Sequence, residues 1–422
     1  MCELLVGLPE VNVLGVGDDD ELLWVHVESR APRPVCPGCG GGVRLKDRPV
    51  VELVDLPSFG RRTRLVWRKH RWSCSDRSCP SASFTAEDAR IAPARLGVTS
   101  RAGRWATEQV GRLGRSVNEI AIELGCDWHT ANDTVIAYGA ALLDADEHRI
   151  GHVEALGLDE TLFHRQGPRR TKRWSTSIVD VGQPRLLDVV QGRTAEDPAA
   201  WLAGRGAAWC AGIKWATLDL SGPYRAAFDA MLPGATQVAD PFHVVRLANA
   251  KLDECRRRVQ NETLGHRGRR DDPLYRARRL LTKAAERLDE GGHTRLLGLL
   301  GAGDPTGDLR MAWHAKEMVR ELYGHHDPEL ALEFVERLGA DLQEDSPPEV
   351  ASLGRTLLRW KNQIAAWHQA HMSNGPTEAM NNLIKRVKRV AFGLTNFRNF
   401  RIRALLYAGR PDWRLLASVT PR

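Results

Sequence analysis

Four cysteines and three acids carry the chemistry this sequence could perform. Cys36 and Cys39 lie in VCPGCG, and Cys74 and Cys79 in WSCSDRSCPS: a C-x2-C pair, a 34-residue spacer and a C-x4-C pair. Thiolates at that spacing close a tetrahedral zinc site, and the Pro-Gly and Gly residues of the first pair allow a tight knuckle. Four thiolates leave no open coordination position, so the expected metal is one structural Zn²⁺. Cys2, Cys126, Cys210 and Cys255 are scattered and read as ordinary residues.

The acids are spread more widely. In SNGPTEAMNNLIKRVKRV, Glu378 precedes Lys385, Arg386, Lys388 and Arg389, and no further acid appears until Asp412. Met380, Leu383, Ile384, Val387 and Val390 recur at helical spacing, with Glu378, Asn382, Lys385 and Arg389 on the opposite side. Asn374, Gly375 and Pro376 supply the start, Asn374 as a capping type. An acid in a first turn is favoured by the helix dipole, and a basic stripe is often a solvated face. The rest of the chain has to decide between that reading and a site. Asp159 in VEALGLDETLF and Asp219 in IKWATLDLSGPY are the acids that could join Glu378.

The elements that must position these groups follow from length and pattern. A chain of 422 residues implies several domains, and a net charge of +7 calls for an anionic partner. Nucleic acid fits better than a membrane, because no long apolar run and no leader pattern occur. Eight cysteines without an export signal argue against a disulfide framework. In the cysteine spacer, VVELVDL and RTRLVWRKHRW read as strands of a zinc ribbon. The second carries Arg61, Arg62, Arg64, Arg68, Lys69 and Arg71, which suits a DNA backbone; Arg64 and Arg68 are the leading candidates.

SVNEIAIELGCDWHTANDTVIAYG reads as helix, short turn, helix. Ile120, Ala121 and Leu124 form an apolar face, Gly125 ends the first helix and Asp127 caps the second. Ala131, Val135 and Ile136 are expected to pack, with Thr130, Asn132 and Asp133 exposed. This is the helix-turn-helix pattern, whose second helix enters the major groove, and Trp128, His129, Thr130 and Asn132 are candidates for base edges. Residues 1–148 are expected to bind DNA by themselves.

From about residue 150 short apolar runs at 153–163, 173–181 and 184–192 suggest a three-stranded meander, followed by alternating helix and strand. That order is the order of a ribonuclease-H-like α/β fold. Its chemistry needs carboxylates on the first strand, the fourth strand and a later helix, where oxygen ligands hold two Mg²⁺ or Mn²⁺ ions across a scissile phosphate. Asp159, Asp219 and Glu378 stand at those places. Glu160 should face the other side of its strand. Asp180 and Asp188 fit strand ends. Asp240 is the rival to Asp219, since it too ends a strand and has His243 on the helix after it.

Cys36-Pro-Gly-Cys39-Gly, the helix-turn-helix, GLDE, LDLSGPY, ADPFHVV, DDPLYRARRLL and the stretch SNGPTEAMNNLIKRVKRVAFGLTNFRNFRIRALL together resemble the DDE transposases of bacterial insertion sequences, in particular the L-three insertion-sequence family with its N-terminal zinc finger. The resemblance runs almost end to end. It implies a catalytic triad of Asp159, Asp219 and Glu378, and it matches Asp240 and His243 to the C/D-x2-H signature of mutator-like transposases, as supporting groups. It also explains why 59 residues separate Asp159 from Asp219 but 158 separate Asp219 from Glu378: related families carry an all-helical insertion there. Trp313 falls in that insertion, as core or as a stacking platform.

The division expected is a zinc ribbon at 1–90, a helix-turn-helix domain at 91–148, a catalytic domain at 149–260 and 371–422, and a helical insertion at 261–370. The basic C-terminal helices add Lys385, Arg386, Lys388, Arg389, Arg398 and Arg401 as phosphate contacts. The resemblance implies binding of terminal inverted repeats, cleavage at the transposon ends and joining of the 3′ hydroxyl to target DNA. The partners are double-stranded DNA and a second copy or more of the chain on that DNA, at the bacterial nucleoid in the cytoplasm, with no membrane and no small-molecule substrate. The alternatives are a catalytically dead, domesticated DNA-binding protein and a metal-dependent nuclease without strand transfer.

Overall fold

Alternating apolar and polar positions make strands of most of the N-terminal 90 residues. A computed structural model describes residues 7–421, so Cys2 lies outside the described residues. The strands are β1 (Val11–Asp18), β2 (Leu22–Ser29), β3 (Val43–Asp47), β4 (Val50–Ser58), β5 (Arg61–Arg68), β6 (Arg71–Cys74) and β7 (Ser83–Thr85). They form two sheets, ordered β1-β2-β5-β4 and β3-β6-β7. The spacer strands therefore do not all belong to the cysteine sheet, as the sequence suggested. Leu53, Leu65 and Trp67 of β4 and β5 cluster with Leu23, Val25 and Val27 of β2 in a separate core, and β3, β6 and β7 are left to carry the cysteines. Alternation identifies a strand but not the sheet it joins.

Three helices follow, Ser100–Gly111, Val117–Leu124 and Trp128–Ala145. Ser116 and Glu119 form a reciprocal capping box, Gly125 ends the short helix in the left-handed region at φ 67°, and Asp127 accepts from Thr130 N at 2.9 Å to start the next helix. Ile120, Ala121 and Leu124 pack with Ala131 and Val135 as expected. Asn132 corrects the reading: it is buried, at 3 % exposure, because it sits beside Ala131 on the packed side of its helix.

The described chain falls into two compact units. One holds residues up to Gly151, Leu187–Val189 and Asn382 onward; the other holds His152–Leu186 and Val190–Asn381. In the first, Ile136, Tyr138 and Leu142 of the helix Trp128–Ala145 share a core with Ile402 and Leu406 of the helix Phe397–Ala408 and with Leu416 and Val419. The segment 1–148 is thus packed with the end of the chain.

The second unit is built on a mixed sheet. β8 (Ala155–Gln166), β9 (Thr171–Asp180), β10 (Arg185–Gln191), β11 (Trp215–Leu218) and β12 (Thr236–Ala239) are ordered β10-β9-β8-β11-β12. β8 and β9 run antiparallel, whereas β11 runs parallel to both β8 and β12. Asp240 ends β12 and caps the helix Pro241–Leu264, and every regular element described from there to Ala370 is helical. Arg258 on that helix ties this region together, bonding Glu349 and Asp308, each at 2.9 Å, from two other helices. Trp313 is buried in this helical region. No helix among the described residues is long and apolar enough to cross a membrane.

Candidate active site

Register brings the first two acids level. Gly157 on β8 pairs with Thr217 on β11, and two residues further along come Asp159 on β8 and Asp219 just past the end of β11. The helix Gly375–Val390, which carries Glu378, is seated on this sheet by three anchors. Asn374, fully buried, accepts from Thr217 Oγ1 at 3.1 Å and donates to Leu158 O at 3.3 Å. Its side chain, expected to cap its own helix, is engaged across two strands instead. Asn381 donates to Asp159 Oδ2 at 2.6 Å and accepts from Ser177 Oγ at 2.6 Å. Asn374 and Asn381 stand four residues before and three after Glu378, so the same helix face carries all three. The third anchor is contact: a Cβ on Gly157 would lie 2.2 Å from Thr377 Oγ1, so only glycine there admits the helix this close to the sheet. Asn374 was read from the sequence only as a cap, and Asn381, Ser177 and Gly157 were not singled out. The spacing 374, 378, 381 was the available signal.

Charge is concentrated and incompletely paired. Burial, then the nearby Asp159 charge, push the Asp219 carboxyl up to about 6, and burial raises Asp159 as well. Asp219 Oδ1 is buried without a hydrogen-bond partner. Glu378, 41 % exposed at its side chain, lies 3.6 Å from His243 Nε2. His243 Nδ1 bonds Asp240 Oδ2 at 3.1 Å, which raises its pKa, while Asp240 Oδ1 accepts from Phe242 N at 3.2 Å. Ligand atoms of Asp240, His243 and Glu378 lie within 4.8 Å of one another. Glu160 turns to Arg193 at 3.4 Å, and Asp180 holds the β9–β10 turn through Gln183 N and Arg185. The Tyr224 hydroxyl is buried against Thr176, and burial raises its pKa, which unsuits it as a nucleophile.

The cysteines converge in their own sheet. Sγ of Cys36 lies 3.7 Å from that of Cys79, and Sγ of Cys39 lies 3.5 Å from that of Cys74. All four atoms fall within 4.8 Å of one another. A tetrahedral zinc with ~2.3 Å bonds needs sulfurs ~3.8 Å apart, so the set fits. Backbone N–H groups of Gly38, then Cys39, draw the Cys36 thiol down to about 7, toward the thiolate a metal requires. Cys126, Cys210 and Cys255 stay apart as free thiols.

The basic candidates divide. Arg68, Trp128, His129, Lys385, Arg386, Arg389 and Arg398 are exposed. Thr130 is half-buried and bonds Asp127, and Lys388 is half-buried. Arg64 donates to Leu124 O and Gly125 O, bracing the turn between two helices. Arg401 makes a two-pronged ion pair with buried Asp188 at 2.6 and 2.7 Å.

Comparison with known proteins identifies the family. A family of transposases, the DDE type of the ISL3 insertion sequences, matches residues 156–404, and the zinc-finger family of the IS204/IS1001/IS1096/IS1165 transposases matches residues 32–79. The chain is 25 % identical over 387 residues to the transposase for insertion sequence element IS1001 of Bordetella parapertussis, covering 89 % of each. It is 25 % identical over 355 residues to the transposase for IS1557 of Mycobacterium tuberculosis, covering 76 % of this chain and 78 % of that one. With more than half its length inside one family and a zinc finger of the same lineage before it, the chain belongs to the ISL3 family of insertion-sequence DDE transposases.

Proposed function

We propose that the chain binds the terminal inverted repeats of its insertion sequence, cleaves DNA at the ends and joins the freed 3′ hydroxyl to target DNA. The observation that carries this reading is the buried, unpartnered Asp219 oxygen beside Asp159, two half-buried acids in want of a cation. Asp159, Asp219 and Glu378 would hold two Mg²⁺ or Mn²⁺ ions, which when bound polarise the scissile phosphate and activate the attacking oxygen. The chain's own part is positioning. Asn381 holds one Asp159 oxygen, and Asn374 and Gly157 seat the helix that brings Glu378. His243, bonded to Asp240, keeps Glu378 within reach without a full bond. Both Asp240 oxygens are engaged and one Asp219 oxygen is not, which favours Asp219 as the second ligand.

Other parts of the reading follow. Strand order β10-β9-β8-β11-β12 supports a ribonuclease-H-like core interrupted by the helical stretch before Ala370. The helices Val117–Leu124 and Trp128–Ala145 act as a helix-turn-helix presenting Trp128 and His129, and the cysteines hold one structural Zn²⁺. Exposed Lys385, Arg386, Arg389, Arg398 and Arg68 contact phosphates, and the active form on DNA is a homodimer or larger. The division at residues 90, 148, 260 and 370 is kept as the functional one.

The test is purified full-length protein with a duplex carrying the element's terminal repeat, Mg²⁺ and a target plasmid. Joined products support the reading. Tight binding without nicking indicates a dead, DNA-binding copy, and nicking without joining indicates a nuclease. A Mn²⁺-bound structure with Asp240 rather than Asp219 on the metal would overturn the ligand assignment.

A further inference from the structure

Arg403 is a buried cation with nothing to balance it. It lies on the helix Phe397–Ala408 at 4 % exposure, and among the described residues it makes no hydrogen bond or ion pair; its Nε is buried without a partner. Burial alone lowers its pKa, to about 10. Other buried arginines of the chain are satisfied: Arg256 bonds Asp253 and Gln260, and Arg149 donates to Leu187 O. A buried guanidinium left unpaired is strongly unfavourable unless something outside the free protein pairs it.

The surroundings point to what that is. Arg403 lines a pocket of about 260 Å³ together with Ser116, Asn118, Trp128, Ala391 and Phe392. Ser116 and Asn118 open the helix Val117–Leu124, whose first amides favour an anion. Glu119, the acid of that turn, already accepts from Ser116 N at 2.8 Å and Ser116 Oγ at 2.9 Å. Two aromatic side chains stand at the mouth. Trp128 is 42 % exposed, and Phe392 is 92 % exposed on a left-handed backbone at φ 52°, followed by Gly393 at φ 119°. A bulky residue is held out in solvent at an unfavourable φ beside an unpaired buried cation. That combination suits a ligand with one anionic group and flat or apolar flanks.

We infer that this pocket receives one backbone phosphate of the bound DNA, with Arg403 as its counter-charge and Phe392 and Trp128 against the adjoining sugar or base. The inference rests on the reading of the helices Val117–Leu124 and Trp128–Ala145 as DNA-binding. It names a phosphate anchor that the exposed lysines and arginines do not supply, because its charge is desolvated before DNA arrives.

The test uses full-length protein and terminal-repeat duplex, with binding measured over a range of salt, and thermal melting of the free protein. Arg403→Met is expected to melt at the same temperature as wild type or higher, since an unpaired buried charge is removed. Its affinity should fall about tenfold and the slope of log K against log salt should drop by about one. Wild-type affinity and slope in Arg403→Met would overturn the inference while leaving the DNA-binding reading intact. Failure of the wild-type protein itself to bind the duplex would remove both. If Arg403→Met folds poorly, Asn118→Asp decides: it places an acid where a helix start favours one and gives Arg403 a partner. Loss of affinity well beyond that of an exposed Gln-to-Glu change far from the pocket supports the anchor, and an equal loss overturns it. Stabilisation of the wild type by inorganic phosphate, with Arg403→Met still binding DNA normally, would assign the pocket to a free anion and overturn the DNA assignment.

Discussion

The cysteine site and the carboxylate site are assembled in opposite ways. The cysteines come from residues 36–79, and their sulfurs already stand in pairs at 3.5 and 3.7 Å, on and beside one three-stranded sheet. The carboxylates come from two strands and a helix 219 residues from the first of them, from Asp159 to Glu378. They bring like charges together, and they leave one Asp219 oxygen unbonded and Glu378 loosely placed beside His243. The first arrangement is complete once one ion is in it, so that ion belongs to the fold. On the proposed reading the second would be completed by cations and DNA, and its ions would belong to the reaction.

The largest effect that could break this contrast is Glu378→Gln. The change keeps size and helix position while weakening an oxygen ligand. DNA binding and folding should survive, and strand transfer should fall by orders of magnitude in a gel assay for joined products. Near-normal joining would return Glu378 to a helix-dipole role worth only about 0.3–1 kcal/mol.

Cys39→Ser should act on the other site through stability. Zinc content by elemental analysis should fall from one per chain to none, with amide exchange in Val43–Asp47 becoming fast, at a cost of several kcal/mol locally. Full zinc in this variant would show that the four thiols are not the ligand set.

Gly157→Ala tests how tightly the helix is seated. The added methyl meets Thr377, Val181 and Thr217 at 2.2, 2.7 and 2.9 Å, so a loss of about 3 kcal/mol is expected by denaturant unfolding. A change under about 0.5 kcal/mol would mean that the helix can lift from the sheet freely.

The smallest effect is a stabilisation. The Asp219 carboxyl sits at about 6 in the fold against an ordinary 3.8, so its ionisation penalises the metal-free protein, most fully above pH 6. Asp219→Asn should therefore melt higher at pH 7, by on the order of 2 kcal/mol. The advantage should shrink as pH falls from about 6 toward 4, where the wild-type acid protonates in the fold. Adding Mg²⁺ should narrow the gap at pH 7. A wild-type protein that is the more stable at pH 7 without metal would refute the strained pairing.

What was legible beforehand follows the same contrast. The zinc ligands were readable because local spacing defines a knuckle. The strand meander was readable because alternation and turn residues mark strands and their ends. Partnership between elements was not. Nothing in VVELVDL says that its strand joins β5 and β2 rather than the cysteine sheet. Asn374 looks like a helix cap in one dimension and becomes a cross-strand clamp only when Leu158 and Thr217 lie beneath it. Asn132 looked exposed because it is polar, and it is buried because it lies on the packed side of its helix.

The packing of Ile402, Leu406, Leu416 and Val419 against Ile136, Tyr138 and Leu142 has a consequence for the protein's birth. The helix Trp128–Ala145 leaves the ribosome 252 residues before Phe397 does, a delay of about 10–50 s at ordinary rates of synthesis. Through that interval Ile136, Tyr138 and Leu142 lack Ile402, Leu406, Leu416 and Val419, and for most of it Glu378 has not been made. A premature stop or frameshift anywhere upstream of the last fifty or so residues therefore yields neither unit whole. Such a fragment is a substrate for chaperones and proteases.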